Sequence, residues 1–304
     1  VLETGLGGRL DATTAVTPMI TGMSHISHDH MNILGKELTD IAREKAGIFK
    51  RGVPAISVEQ DAKVKAVLDE VAESVGTKVE YAGSKEIEFS HRFEANRELG
   101  PHTRLSITTP NSRWEHLAVP LRGEHQAHNC VLALAMLDRL KQFEFEISEE
   151  KVIAGLEATK LPGRMELVHQ QPRVIIDGAH NAASIQALIR ALGAHITYDS
   201  LVLIFGCGQD KDVTGMLKQI ALGADKVIFT RAAANPRAME PDDLQHQFNE
   251  LSGKMSQTSK TLEQALKLAG RAVSREDLIV VTGSFYLVGE AKKYFQDAAS
   301  KRGR

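Results

Sequence analysis

Apolar positions recur along this chain with two different periods, and the change of period divides it. Leu38, Ile41, Ala42, Ala46 and Phe49 recur at helical spacing and predict a helix closed near Gly47. Ala62 to Val75, a strongly apolar stretch opening at Leu121–Asn129 and running to about Leu140, and the shorter Ile147 to Leu156 predict three more helices. Met19 to Met23 and Val53 to Val58 read as strands, and Lys78 to Pro120 alternates apolar with polar residues between turns, as antiparallel strands do. After Leu161-Pro162-Gly163 the pattern becomes a regular alternation. Short apolar runs at Val174–Ile176, Leu201–Phe205, Lys226–Phe229 and Leu278–Val281 are separated by helices beginning near Ala182, Asp212, Pro241 and Thr261. A last helix is predicted from Tyr286 to Ala298. Alternating strands and helices imply a mostly parallel sheet covered on both faces. The chain therefore reads as an α/β protein of two domains, residues 1–160 and 161–304.

Composition narrows the possibilities. With 42% hydrophobic and 25% charged residues this is ordinary globular material, and a net charge of −2 offers no basic footprint for nucleic acid or a membrane surface. Cys130 and Cys207 lie far apart without metal-binding spacing and read as reduced core thiols. No apolar run approaches the roughly 20 residues needed to span a bilayer, so a cytoplasmic location is expected. Val1-Leu2-Glu3 reads as the tail of a buried strand, which leads to the expectation that something upstream is missing.

The candidate chemistry sits at the ends of the predicted elements. Gly5, Gly7 and Gly8 crowd one loop and allow close backbone approach to a ligand, but no Gly-Lys-Ser/Thr phosphate loop occurs anywhere. Lys45 falls on the apolar stripe of its helix, where a lysine is costly unless paired or modified. Glu3, His28, Asp29 and His30 offer carboxylate and imidazole ligands, suited to zinc or, beside a phosphate, to Mg²⁺ or Mn²⁺. Arg164 follows a Pro-Gly turn, Asp177 ends a parallel strand where open sheets hold ligands, and His180 and Asn181 precede a helix, either as an anion site or simply as its cap. His91, His102, His116, His169, His195 and His246 read as solvated surface groups, and His125 and His128 as packing at a helix start.

Six stretches then stand in a familiar order: Glu3-Thr-Gly-Leu-Gly-Gly-Arg-Leu-Asp-Ala-Thr13, Asp29-His30 followed by Leu34-Gly35, Ala42-Arg-Glu-Lys-Ala-Gly-Ile48, Leu161-Pro-Gly-Arg164, Asp177-Gly-Ala-His-Asn181 and Thr282-Gly-Ser-Phe-Tyr-Leu287. Together they resemble the folylpolyglutamate synthase/dihydrofolate synthase family of the Mur ligase superfamily, from Val1 to about Glu290. The resemblance implies an incomplete P-loop-type ATP-binding central domain followed by a Rossmann-like C-terminal domain. It also implies an ATP-dependent ligase that joins L-glutamate to a folate or dihydropteroate carboxylate through an acyl phosphate, with a two-domain clamp that keeps water from that intermediate. By the same resemblance Glu3 and His30 bind magnesium (or manganese), Lys45 is carbamylated, and Asp11 and Ala12 contact the pterin or pteroate. Asn129 reads adenine, Arg164 grips the γ-phosphate, Asp177 binds ribose and His180 lies beside the nucleotide. Lys211, Asp212 and Ser284 are the candidates for glutamate, with helix capping as their alternative. The expected partners are ATP, L-glutamate and a folate-type substrate, with the protein acting as a monomer.

Two departures stand out. Without the Gly-Lys-Ser/Thr loop, the 304-residue chain alone is expected to lack ligase activity, and Ala182 stands where the family usually has Pro. Competing readings are a cell-wall Mur ligase acting on a UDP-muramyl precursor, a metallohydrolase built on His25, His28, Asp29 and His30, and a non-catalytic nucleotide-binding relic.

Overall fold

The computed structural model describes residues 1–96 and 100–302, which fall into two compact units, Val1–Thr159 and Lys160–Arg304. In the first unit β1 (Thr21–Met23), β2 (Ala55–Ser57) and β3 (Val79–Tyr81) form a parallel sheet in that order. The short α1 (Met31–Leu34), α2 (Leu38–Ala46) and α3 (Ala62–Val75) accompany it, and Ile41, Ala42, Ala46, Val64 and Leu68 pack with Met23, Ala55 and Val79 in one core. A second sheet follows, β4 (Glu88–Asn96), β5 (Gly100–Thr109) and β6 (Ser112–Val119), antiparallel throughout. Its apolar face packs on α4 (Glu124–Leu140) and α5 (Glu149–Glu157) through Leu105, Ile107, Trp114, Val131, Leu134 and Val152.

The second unit is one six-stranded sheet. Its strands are β7 (Glu166–Gln170), β8 (Arg173–Ile176), β9 (Leu201–Phe205), β10 (Lys226–Phe229), β11 (Met255–Thr258) and β12 (Leu278–Thr282). They stand in the order β11-β10-β9-β12-β8-β7, and only β7 is antiparallel to its neighbour. On one face lie α6 (Ala182–His195), α7 (Val213–Gly223) and α8 (Pro241–Leu251); on the other lie α9 (Leu262–Ala272) and α10 (Phe285–Arg302). Strand residues feed the two cores alternately, as the period of two demands: Leu203 and Phe205 one way, Val202 and Ile204 the other. Phe205, Phe229 and Phe248 are fully buried and meet edge to face at 6.3 and 5.5 Å. Because β9 passes to a helix on one face and β12 to a helix on the other, their adjacent carboxyl ends form a switch point, where open sheets leave a crevice.

Two strands were invisible in the pattern, β7 and β11. Both are sheet edges, where one side of the strand meets solvent and the apolar run dissolves into mixed residues. Val1–Glu3 corrects the expectation of a buried strand tail: the three residues are irregular and exposed, because two apolar side chains form no strand without a neighbour to pair with.

Candidate functional site

The turn carrying Arg164 is fixed on several sides. The Arg164 N–H donates to the Leu161 carbonyl at 3.2 Å, and the Gly163 carbonyl accepts from the Gly178 N–H at 2.8 Å, bonding the turn to the end of β8. The Gly163 N–H donates to Glu166 Oε2 at 2.7 Å, and Glu166 pairs with Lys292 of α10 at 2.7 Å. Gly163 takes a φ of 68°, and a Cβ there would lie 2.9 Å from Val288 Cγ1. Met165 is also left-handed, at φ 46°, rare for a residue with a side chain. What holds it is Asp177, whose Oδ2 accepts the Met165 N–H at 2.9 Å while Oδ1 accepts the Ala179 N–H at 2.9 Å. Burial pushes the Asp177 carboxyl up, against the opposing pull of these two N–H groups and of Arg164 and His180.

Above this framework the exposed Arg164 guanidinium lies over the Phe285 ring, with Cζ 4.5 Å from the centroid. The His180 ring lies 5.8 Å from the same ring, tilted by 54°. His180 Nδ1 sits 2.8 Å from the Gly178 carbonyl; since a carbonyl only accepts, Nδ1 carries the proton. Asn181 caps α6: its Oδ1 accepts the Ser184 N–H at 2.8 Å, and Ser184 Oγ accepts the N–H groups of His180 and Asn181 at 3.0 Å each. The capping alternative therefore describes Asn181. Arg164, Asp177 and His180, separated by up to 16 positions in sequence, are brought together. The glutamate candidates are engaged locally: Asp212 Oδ1 accepts the Gly215 N–H at 2.9 Å as the cap of α7, and Ser284 Oγ accepts the Leu287 N–H at 3.2 Å in the first turn of α10. Lys211, half-buried, precedes Asp212 on the β9 side of the switch point.

In the first unit the glycine loop is seated on the last turn of α2. The Arg9 N–H donates to the Glu44 carbonyl and the Arg9 guanidinium pairs with the Glu44 carboxylate, both at 2.8 Å. A Cβ on Gly8 would lie 2.6 Å from the Lys45 carbonyl oxygen, and one on Gly47 only 2.3 Å from Arg9 Cα. What Lys45 turns toward the loop is thus its carbonyl, and the residue is half-buried where the stripe predicted an inward side chain. Asp11 ties the loop shut, accepting from the N–H groups of Gly5 (2.8 Å), Leu6 (3.0 Å) and Thr13 (3.0 Å) and from Thr13 Oγ1 (2.7 Å). Those donors hold its carboxyl well below the usual range. Ala12 beside it is exposed.

His30 starts α1 with a φ of 51°; its N–H donates to Asp29 Oδ1 at 2.8 Å, and its side chain is 40% exposed. Glu3 stands on the exposed opening segment. An accessible carboxylate and an accessible imidazole fit a hard cation that keeps most of its water. Among the described residues no three His, Cys, Asp or Glu side chains gather as a metal-ligand set. Asn129 is exposed on α4, one long bond (3.4 Å) from Gln126 Oε1. Beside it His128 packs edge-on against Phe89 at 5.4 Å and His91 at 5.8 Å, and burial lowers its pKa. His91 is therefore part of an aromatic row on β4, not an isolated surface group. His102 (1% exposed, on the central strand β5) and His195 (9%) are buried, also against expectation. Polar neighbours in sequence do not reveal that a strand is central or a helix end covered. Sequence reasoning assigned no role to Phe285; it was visible only as one letter of a motif.

Comparison with known proteins bears on both units. The Mur ligase middle domain matches residues 1–137, and the Mur ligase glutamate ligase domain matches residues 163–285. The chain is 31% identical to a probable dihydrofolate synthetase of Schizosaccharomyces pombe, covering 97% of this chain and 70% of that protein. It is 30% identical to the dihydrofolate synthase/folylpolyglutamate synthase of Bacillus subtilis, covering 96% of this chain but 66% of that one. A Mycobacterium tuberculosis folylpolyglutamate synthase structure complexed with ADP and AMPPCP superposes with a TM-score of 0.87 at 31% identity, over 96% of this chain and 67% of that one.

Proposed function

The chain belongs to the Mur ligase family, in its folylpolyglutamate synthase/dihydrofolate synthase branch, and from that premise we propose that it serves an ATP-dependent ligase joining L-glutamate to a folate or dihydropteroate carboxylate. The observation that carries this reading is the interlocked group of Arg164, Asp177 and His180 at the carboxyl end of β8. Arg164 presents a planar fork of donors to phosphoryl oxygens, Asp177 adds spare lone pairs for ribose, and His180 stands beside the phosphates. Asn129, exposed with its amide nearly uncommitted, reads the adenine edge. ATP phosphorylates the substrate carboxylate; the glutamate amine then attacks the acyl phosphate, forming the amide as phosphate departs. No side chain need act as nucleophile, since phosphoryl transfer is promoted by positioning and charge neutralisation.

Glu3 and His30 are the residues that hold magnesium, which when bound neutralises phosphoryl charge. Lys45 adds CO₂ to its neutral amine and releases a proton, becoming an anionic carbamate; its half-buried position beside the glycine loop supports that role. Asp11 shapes the loop and Ala12 exposes its surface to the pterin; Lys211 supplies a cation for glutamate, near Asp212 and Ser284. The UDP-muramyl alternative has no such support among the relatives named above.

The test is phosphate release and labelled-glutamate incorporation with Mg·ATP, comparing dihydropteroate with tetrahydrofolate. It is run on this chain and on the chain extended with the part of the longer Bacillus subtilis relative that it does not cover. Ligation by the extended chain, lost in Arg164→Ala, is the expected result. An extended, folded chain that binds ATP but joins no glutamate to either substrate overturns the proposal.

A further inference from the structure

Phe285 opens α10 as a 47% exposed residue, outside the buried core. It instead meets two polar groups from other segments: the Arg164 guanidinium at 4.5 Å and the His180 ring at 5.8 Å. A third segment has made room for the meeting. A Cβ on Gly178 would lie 2.4 Å from Phe285 Cε1 and 2.5 Å from Arg164 Nη1, closer than any real side chain tolerates. Three separate stretches, the Arg164 turn, the end of β8 and the start of α10, thus converge on one stacked pair.

Physics gives the stack a purpose. An exposed arginine has several rotatable bonds and spreads its charge over many positions, and ordering it on ligand binding costs affinity. Asp177 fixes the near end through the Met165 backbone. The ring fixes the far end by attracting the cation to its negative face while leaving the N–H fork at the guanidinium edge for a ligand. We infer that Phe285 is a positioning residue, which holds the Arg164 guanidinium ready for the terminal phosphoryl group, and that position 178 is glycine because a side chain there would displace the pair. The inference rests on Arg164 being a γ-phosphate ligand. Were Phe285 only an apolar start to α10, leucine would serve as well.

Phe285→Leu makes that distinction, with Phe285→Tyr and Phe285→Trp as the rescuing variants. In isotopically labelled chain the Arg164 δ-methylene protons, identified by their loss in Arg164→Lys, lie upfield under the ring current. Leucine returns them to the ordinary position, whereas tyrosine and tryptophan keep them shifted. In the same variants of the extended chain the affinity ratio of Mg·ATP to Mg·ADP falls about fivefold in Phe285→Leu, the size expected for a partly exposed cation–π contact. It stays within about twofold in the aromatic variants, and Gly178→Ala moves both readouts as leucine does. A Phe285→Leu chain that keeps the shifted signal, or loses it without changing the ratio, overturns the inference. An extended parent chain that shows the shifted signal and binds both nucleotides but does not prefer ATP over ADP overturns the γ-phosphate role of Arg164 itself, so the two failures are told apart.

Discussion

The two units hold their candidate residues in different ways. In the second, Arg164, Asp177, His180, Gly178 and Phe285 are joined by hydrogen bonds and stacking into one assembly at the sheet's carboxyl edge. In the first, each candidate is seated by its own element. His30 starts α1, Asp11 closes its loop, Lys45 ends α2, and Asn129 rides on α4. Among the described residues no hydrogen bond or ion pair joins Glu3 or Lys45 side chains to another candidate. The difference teaches where preorganisation resides. A parallel sheet delivers neighbouring strand ends to one line, so distant residues meet without help. Residues on separate loops and helices keep their local geometry and depend on a shared ligand to act together.

Four measurements would break or sharpen this contrast. The largest effect belongs to the sheet that delivers the assembly: Phe229→Ala, at a fully buried ring between Phe205 and Phe248, should cost about 3–5 kcal/mol in urea unfolding. A loss under about 1 kcal/mol would mean that the sheet core is not what sets the strand ends.

Next comes Asp177→Ala, which leaves the Met165 and Ala179 N–H groups without their acceptor and should cost about 2–3 kcal/mol. Its pH dependence has a definite sign. The folded-state pKa is raised, so the carboxyl's contribution is full below the unfolded value of about 4 and declines as pH climbs through the folded value. The stability of the parent relative to Asp177→Asn should therefore shrink with rising pH across that window. A difference that grows instead would show that hydrogen bonding to the carboxylate outweighs its burial.

Asp11→Ala should act locally, raising amide exchange at Gly5, Leu6 and Thr13 while leaving α3 unchanged. Its depressed pKa gives the opposite sign: loop protection is full above the ordinary carboxylate value and disappears only as pH falls through the depressed one. Protection already lost near pH 4–5 would contradict the four-donor arrangement.

The smallest stability effect is that of Asn129→Ala, within about 0.5 kcal/mol for an exposed side chain with one long bond. Its preference for ATP over GTP should nonetheless fall. A large stability loss with unchanged base preference would make Asn129 a structural residue of α4.

Much of the fold was legible because it rests on local rules. The α3 limits Ala62–Val75 and the strands Leu201–Phe205 and Lys226–Phe229 follow directly from apolar spacing and caps. The family, too, was legible in six short motifs, since they record which residues the site needs. Only the tertiary structure showed what those residues touch. The stacking of Arg164 on Phe285 joins positions 121 apart in sequence, and no period or spacing encodes such a contact. It also decided that Asp11, Asp212 and Ser284 spend their oxygens on neighbouring N–H groups, and that His102 and His195 are buried. Periodicity reports which side of its own element a residue takes. What lies on that side is set by the packing of elements distant in sequence, a property of the assembled sheet and helices.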